Sequence, residues 1–284
     1  MAATTITGQQ ILMKIADDTL MYQSAFVREV TSQTVLVLGG VSIGDRETFK
    51  YALATVNGGG IRKITAYDES TETITLEGGF GVTVAAGDVI KIAWWDAKKR
   101  DAAMNAIRET IRQTWGVFGR EVLGATSISL VSSTAEYNLP TDVGELWRVG
   151  ILLSNGKYDL KPEDDIWRMG GEYGAFVIRF LDNTRFYAPR DWAGETLYAW
   201  YMTKEPEIAL ETDSTRLPLD AFTRASYLFL NNIGAPKPKA DEDANALLME
   251  HQSRLVQLKT DGDLAFSRLR VGRPKRPLRR RYER

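Results

Sequence analysis

Residues 61–79 read IRKITAYDESTETITLEGG, and apolar and polar side chains alternate on both sides of a central turn. The apolar positions are Ile61, Ile64, Ile74 and Leu76. Asp68 opens the turn, because its carboxylate can accept a hydrogen bond from the backbone ahead of it. The stretch therefore predicts an antiparallel strand pair. With SQTVLVLGG (32–40) before it and GDVIKIAWW (87–95) after it, it predicts a small β module over residues 26–95.

The pattern changes at Asp96, which can cap a helix running to about Leu123. Its apolar face repeats every three or four residues, at Ala103, Ile107, Ile111, Trp115, Phe118 and Val122. This periodicity is typical of a helix with one buried face. Gly124 is expected to end it.

A second β region is predicted over residues 125–205, where several segments have strand-like composition and Asn155-Gly156 is a strong hairpin turn. Aromatic residues are concentrated there, from Trp147 to Trp200. Aromatic side chains favour strands. We expect an aromatic-rich antiparallel sandwich or barrel.

Helical patterns also cover residues 8–23, 217–234 and 241–259. The predicted fold class is therefore α+β: a helical bundle of three to four helices with two antiparallel β insertions and an extended basic C-terminal tail. The helical core would combine residues 1–25, 96–124 and 216–262, and the tail would comprise residues 263–284.

The composition excludes several kinds of chemistry. The chain has no cysteine, which rules out disulfides, thiol nucleophiles and cysteine-ligated zinc, and its one histidine is His251. Histidine is the usual proton-transfer group near neutral pH. We expect no enzyme activity, no catalytic residues, no metal and no cofactor. No run of about 18 apolar residues predicts a membrane helix, and the N-terminus lacks the pattern of a signal peptide.

Four local features have simpler explanations than a chemical site. His251 lies on the apolar stripe of its predicted helix, which indicates a packed histidine. Asn57–Lys63 lacks the spacing of a phosphate-binding loop and fits a hairpin tip. Asp241–Asn245 begins like a calcium loop, but Ala246 occupies the position that needs glycine. Trp94, Trp95 and Trp192 could stack on bases or sugars, although core packing is the simpler expectation.

The C-terminal segment, residues 268–284, has a net charge of +8 from nine Lys or Arg and one Glu. The whole chain has 36 Lys or Arg and 37 Asp or Glu, so residues 1–267 carry −9. Such a segment cannot fold alone. It could be a solvated end, could bind DNA phosphates, or could dock in an acidic groove of a protein. Apolar residues such as Leu278 and Tyr282 favour the last. The candidate partner-binding residues are Arg268, Arg270, Arg273, Lys275, Arg276, Arg279, Arg280, Arg281, Tyr282 and Arg284.

Several passages resemble the head-to-tail adaptor, or connector, proteins of tailed bacteriophages. Residues 135–171 (AEYNLP to WRMGG) and 178–207 (IRFLDN to TKEPE) resemble the main β module of that family, and residues 61–92 its smaller β insertion. RLPLDAFTRASYLFLNN (216–232) and MEHQSRLVQLKTDGDLA (249–265) are similar to its C-terminal helices.

The resemblance implies a structural virion protein without enzymatic activity. It would form a ring, commonly twelve-fold, under the portal protein in the virion neck, after synthesis in the host cytoplasm. The C-terminal tail would dock on the portal, a tail or nozzle protein would bind the other side, and genomic DNA would pass through the lumen. The alternatives are a DNA-binding or packaging accessory protein that uses the basic tail, or a carbohydrate-binding tail component that uses the aromatic β module.

Overall fold

The computed structural model describes residues 5–41, 51–115, 118–119, 121–131, 133–134, 136–152, 158–162, 179–180, 185–187, 194–235 and 243–270. The chain divides into two compact units. The first comprises Met1–Thr110 and Glu207–Arg268, and the second comprises Ile111–Pro206 and Leu269–Arg284.

A closed antiparallel barrel of six strands dominates the first unit. The strands of this unit are β1 (Ile6–Thr7), β2 (Tyr22–Ser32), β3 (Val35–Gly39), β4 (Leu53–Val56), β5 (Ile61–Asp68), β6 (Thr73–Leu76), β7 (Val89–Ala93) and β15 (Ser214–Thr215). The barrel order is β2-β3-β6-β5-β4-β7, and pairing between β2 and β7 closes it. Alternate side chains fill the interior, among them the fully buried Val27, Leu36, Leu38, Ile64, Ile74, Ile90 and Ile92.

The helices are α1 (Gly8–Asp18), α2 (Ala97–Thr114), α3 (Thr223–Ile233) and α4 (Ala244–Arg270), with a 3₁₀ helix at Leu219–Phe222 before α3. A capping box starts α1, because the Thr7 hydroxyl accepts from the Gln10 N–H and the Gln10 side chain accepts from the Thr7 N–H. Asp96 caps α2 by accepting from the Lys99 N–H at 2.7 Å, as predicted.

Short helices pack tightly beside the barrel. Ile11, Leu12 and Ile15 of α1 are fully buried, as are Phe222 and Phe229 next to and within α3. Trp95 joins them through an edge-to-face contact with Phe229, with ring centroids 5.5 Å apart. An ion pair between Arg100 of α2 and Glu211 ties α2 to the segment that leads to β15. Burial alone would lower the pKa of Arg100, but the hydrogen bond and charge of Glu211, together with the charges of Asp101 and Tyr51, outweigh it and raise that pKa.

The described strands of the second unit form two antiparallel sheets. Its strands are β8 (Glu121–Ser129), β9 (Glu136–Asn138), β10 (Val143–Leu152), β11 (Tyr158–Pro162), β12 (Arg179–Phe180), β13 (Arg185–Tyr187) and β14 (Thr196–Thr203). The sheet orders are β11-β10-β14-β8 and β12-β13-β9. The core includes Leu130, Leu139, Val143, Ile151, Leu197, Ala199 and Tyr201.

The predicted fold class, a helical bundle with two β insertions, is wrong: the described part of the chain has a β-rich fold with four helices and a closed six-stranded barrel. The barrel has a hydrophobic interior of its own and therefore does not depend on a bundle for its core. The helices α1 and α3 have only 11 residues each, and the long α4 is largely exposed. The closed barrel lies in the N-terminal β region, and the described strands of the aromatic-rich region form a four-stranded and a three-stranded sheet.

Two helix ends differ from the prediction. The helix predicted to reach Leu123 ends at Thr114, because residues from Glu121 onward pair with β14, with Val122 opposite Tyr201. Gly119 permits this path: a Cβ atom there would lie 1.9 Å from the Thr203 carbonyl oxygen. The last helix was predicted to end near Lys259 with an extended tail from residue 263, but α4 continues to Arg270.

Several predictions of local structure are confirmed. The Asp68 carboxylate accepts hydrogen bonds from the Ser70 hydroxyl at 2.7 Å and the Ser70 N–H at 2.9 Å, and these bonds lower the pKa of Asp68. Residues 57–60 form the turn between the paired strands β4 and β5, and Gly58 has a φ of 76° that favours glycine. Trp95 is buried in the core. Asn155-Gly156 lies outside the described residues, but the flanking strands β10 and β11 pair antiparallel.

Candidate interaction surface

A 27-residue helix, α4, is the most exposed regular element of the first unit, and it is attached to that unit at two points. At the first, the Arg254 Nε donates to the Asp18 carbonyl oxygen at 2.6 Å. This carbonyl belongs to the last turn of α1, where a positive charge is favourable because helix C-termini carry partial negative charge. The Asp18 carboxylate accepts in turn from Lys14 Nζ at 2.9 Å and from the Ser226 hydroxyl at 2.7 Å. Arg254 therefore joins α4 to a polar network shared by α1 and α3.

The second attachment lies about two turns further along α4. Arg224 of α3 donates to the Asp263 carboxylate at 2.7 Å, and its guanidinium lies 5.0 Å from the centroid of the Phe266 ring. Gly262 directly precedes Asp263, and a Cβ atom there would come within 3.1 Å of the Arg224 backbone. Glycine therefore allows the backbones of α3 and α4 to approach closely at this point.

One face of α4 points toward its own unit. We call Leu247, His251, Leu255, Leu258, Gly262 and Ala265 the inner stripe. Leu258 and Gly262 are buried and the other four are half-buried. Their spacing of four, four, three, four and three residues keeps them on one side of the helix. His251 thus packs on this stripe, in agreement with the expectation of a packed histidine.

The opposite face of α4 also has a regular pattern. We call Ala246, Met249, Ser253, Val256, Thr260, Leu264 and Ser267 the outer stripe. They are all exposed and uncharged, and they follow one another at spacings of three, four, three, four, four and three residues. Met249 is 71% exposed, Val256 67% and Leu264 51%. A helix with only one packed face would normally carry charge here.

Two of the three hydroxyl groups of the outer stripe, those of Thr260 and Ser267, form hydrogen bonds within the helix. The Thr260 hydroxyl donates to the Val256 carbonyl oxygen at 3.0 Å, and the Ser267 hydroxyl donates to the Leu264 carbonyl oxygen at 2.7 Å. Because these donors already bond within the helix, covering them leaves no unpaired donor. These two hydroxyls can therefore be covered at low cost.

The structure describes only the first two of the ten predicted partner-binding residues. Arg268 is exposed in the last turn of α4, and Arg270 is the final residue of that helix. Eight predicted residues, Arg273, Lys275, Arg276, Arg279, Arg280, Arg281, Tyr282 and Arg284, lie outside the described residues. The sequence pattern predicted that Ala244, Leu247, Leu248, His251, Leu255 and Leu258 face inward. Ala244 and Leu248 are instead exposed, and the outer stripe was not predicted. The three- and four-residue spacing of Met249, Ser253, Val256 and Thr260 was the available signal.

The remaining candidates show no chemical site. Within the described ranges, His, Asp and Glu side chains form no cluster of three or more that could hold a metal ion. Across the same residues, no helix is both long and apolar enough to cross a membrane. Asp241 and Trp192 lie outside the described part of the chain. An interaction surface on α4 is therefore the strongest functional feature.

The comparisons with known proteins identify no family: no family model matches this chain, and no curated protein matches it.

Proposed function

We propose that this chain is a structural virion protein that forms the adaptor ring between the portal and the tail of a tailed bacteriophage and leaves a channel for DNA. The observation that carries the proposal is the arrangement of the C-terminal part. A long helix with an exposed uncharged face leads directly into a segment of high positive charge. A subunit that contacts its neighbours through a helix and binds a further protein through its end would have this arrangement.

The charge distribution supports the same function. Residues 1–267 carry a net charge of −9, and negative walls around a channel do not trap passing DNA. The basic segment needs an acidic partner, and arginine makes bidentate ion pairs with carboxylates. The resemblance of residues 135–171, 178–207, 216–232 and 249–265 to adaptor proteins supports a location below the portal.

Mass photometry and negative-stain microscopy test this proposal. The full chain is mixed with the portal protein of the same phage, and we expect a ring bound to the portal. A truncation after Arg270 keeps α4 and removes residues 271–284, so we expect it to lose portal binding. A second variant replaces Lys275, Arg276, Arg279 and Arg280 with serine at unchanged length and should also lose it. Undiminished portal binding by both variants would contradict docking through the tail.

DNA binding is the second candidate, because the same +8 segment would bind phosphates. An electrophoretic shift assay with duplex DNA decides between them. Binding at about 0.15 M salt that weakens steeply as salt rises, and that disappears with residues 271–284, would favour a DNA-binding accessory protein. We expect only weak binding that is lost at that salt concentration.

A further inference from the structure

The turn between β4 and β5 has a chemical feature that the proposed function does not use. Asn57 is followed by Gly58, and both residues are exposed at the tip of this hairpin. We propose that Asn57 is a site of spontaneous covalent modification, at which the folded chain converts the asparagine to aspartate and isoaspartate. The inference is independent of the adaptor ring, because the reaction requires only water.

The reaction joins the asparagine side chain to the peptide nitrogen of the next residue. The Gly58 nitrogen loses its proton and attacks the Asn57 Cγ atom. The N–Cγ bond forms, the Cγ–Nδ2 bond breaks and ammonia leaves with the proton, so that a five-membered succinimide ring remains. Water then opens the ring. Attack at Cγ gives aspartate, and attack at the backbone carbonyl carbon gives isoaspartate. No oxidant or reductant takes part.

The geometry of the turn leaves the attacking peptide group free to rotate. The Gly59 N–H donates to the Val56 carbonyl oxygen at 3.0 Å, which closes a four-residue turn with Asn57 and Gly58 at its centre. Gly58 has a φ of 76°, which matches the second central position of a type II turn. Among the described residues, neither the Gly58 N–H nor the Asn57 carbonyl oxygen forms a hydrogen bond. The peptide group between them can therefore turn toward the Asn57 side chain without breaking one.

Gly58 also removes the steric obstacles to this rotation. Glycine adopts positive and negative φ about equally readily, so it can follow when the peptide group before it rotates. A Cβ atom at Gly58 would meet nothing within 4 Å, so the tip stands in open space where water can reach it. The base of the turn is held in place, because the Gly60 N–H donates to the Phe80 carbonyl oxygen at 2.7 Å. Movement at the tip therefore leaves the strands paired.

Other positions of the chain lack this combination. In the sequence, only Asn57 and Asn155 precede glycine, and Asn155 lies outside the described residues. Asp261 also precedes a glycine, but the pair lies within α4. A helix bonds each interior N–H to the carbonyl four residues earlier, so the Gly262 nitrogen is not free to attack.

The modification changes the hairpin in two ways. Aspartate and isoaspartate each add a negative charge at the tip. Isoaspartate also adds a methylene group to the backbone between β4 and β5. Older chains therefore differ from newly made ones in both charge and turn geometry.

The test follows Asn57 while the full-length chain is incubated at mildly alkaline pH. Trypsin releases residues 51–62, in which Asn57 is the one asparagine, and mass spectrometry measures its conversion. Protein-isoaspartate methyltransferase with labelled S-adenosylmethionine detects the isoaspartate. A synthetic peptide of residues 51–62 is the unfolded reference, and a zero-time sample corrects for conversion during digestion.

We expect Asn57 in the folded chain to convert at a rate within about tenfold of the rate in the free peptide. No hydrogen bond has to break, and each bond that did would slow the reaction by up to about tenfold. The rate should rise with pH, because the attacking nitrogen must lose its proton. A folded-chain rate more than about tenfold below that of the peptide, or a rate that does not depend on pH, would overturn the proposal.

The matched variant is Asn57→Gln, which keeps the amide but would need a six-membered ring that forms far more slowly. Residues 51–62 of this variant should keep their mass, and the methyltransferase should label less of the chain. Any label that remains is assigned through the tryptic peptide 149–157, which contains Asn155. Circular dichroism checks that the variant retains its fold. Conversion of residues 51–62 in the variant at the wild-type rate would contradict the succinimide route.

Discussion

The helices α1 and α4 form by different means. The 11 residues of α1 include six buried ones, and a capping box fixes its first turn. The 27 residues of α4 include only two buried ones, Leu258 and Gly262, among those with described side chains. Isolated helices as short as α1 are marginal in water, so packing must stabilise it. For α4, its length and a few anchors suffice, which leaves one face open for another molecule.

Among the tests of this difference between the helices, Ile15→Ala in α1 should have the largest effect on stability. Ile15 is fully buried, so the change removes apolar contacts and leaves a cavity. We expect the free energy of unfolding of the first unit to fall by about 3 kcal/mol. Urea unfolding measures it. A loss below about 1 kcal/mol would contradict the view that packing holds α1 in place.

The second test removes the hydrogen bond that attaches α4 to α1. Arg254→Met keeps most of the apolar stem but removes the hydrogen bond to the Asp18 carbonyl oxygen and the charge at the end of α1. We expect the free energy of unfolding of the first unit to fall by about 1–2 kcal/mol, and we expect faster amide hydrogen exchange around residue 254. Gln252→Met, at an exposed position of the same helix, is the control and should change neither quantity.

The third test concerns the start of α1. Thr7→Ala removes the hydroxyl that accepts from the Gln10 N–H. We expect the free energy of unfolding of the first unit to fall by about 1 kcal/mol. Thr7→Ser keeps the acceptor and should retain most of the stability. Equal losses in the two variants would mean that the methyl group of Thr7, rather than its hydroxyl, matters.

The smallest expected effect belongs to the open face of α4. Met249→Ala shortens a side chain that is 71% exposed, so the free energy of unfolding should change by less than about 0.5 kcal/mol. The measurement needs dilute protein, because association would add stability to the wild-type chain. A loss near that of Ile15→Ala would show that Met249 packs within its own subunit.

Predictions from the sequence succeeded where the cause is local. The Asp96 cap and the Asp68 turn each depend on residues within three positions, and the structure confirms both. Barrel closure depends on β2 pairing with β7, where Tyr22 lies opposite Ala93. No local pattern encodes a contact at that separation in sequence. The end of α2 was predicted wrongly for the same reason. Val122 pairs with β14, which is distant in sequence, and therefore lies in a strand.

The candidate surface was predictable in part. The basic charge of residues 268–284 is evident from composition, and the structure adds that its first residues continue a helix. The outer stripe was missed because small and hydroxylated side chains such as Ala246, Ser253 and Thr260 do not stand out as apolar. Their exposure in the folded chain reveals them as one uncharged face.

The pairing of β2 with β7 also affects how the gene could change. The chain enters the barrel at Tyr22 and leaves it at Ala93, and these residues are antiparallel partners about 5 Å apart. A short linker could replace the whole barrel without moving the ends of α1 and α2. Recombination could therefore exchange or delete the barrel as one segment of the gene. The helices and the outer stripe of α4 would be inherited unchanged.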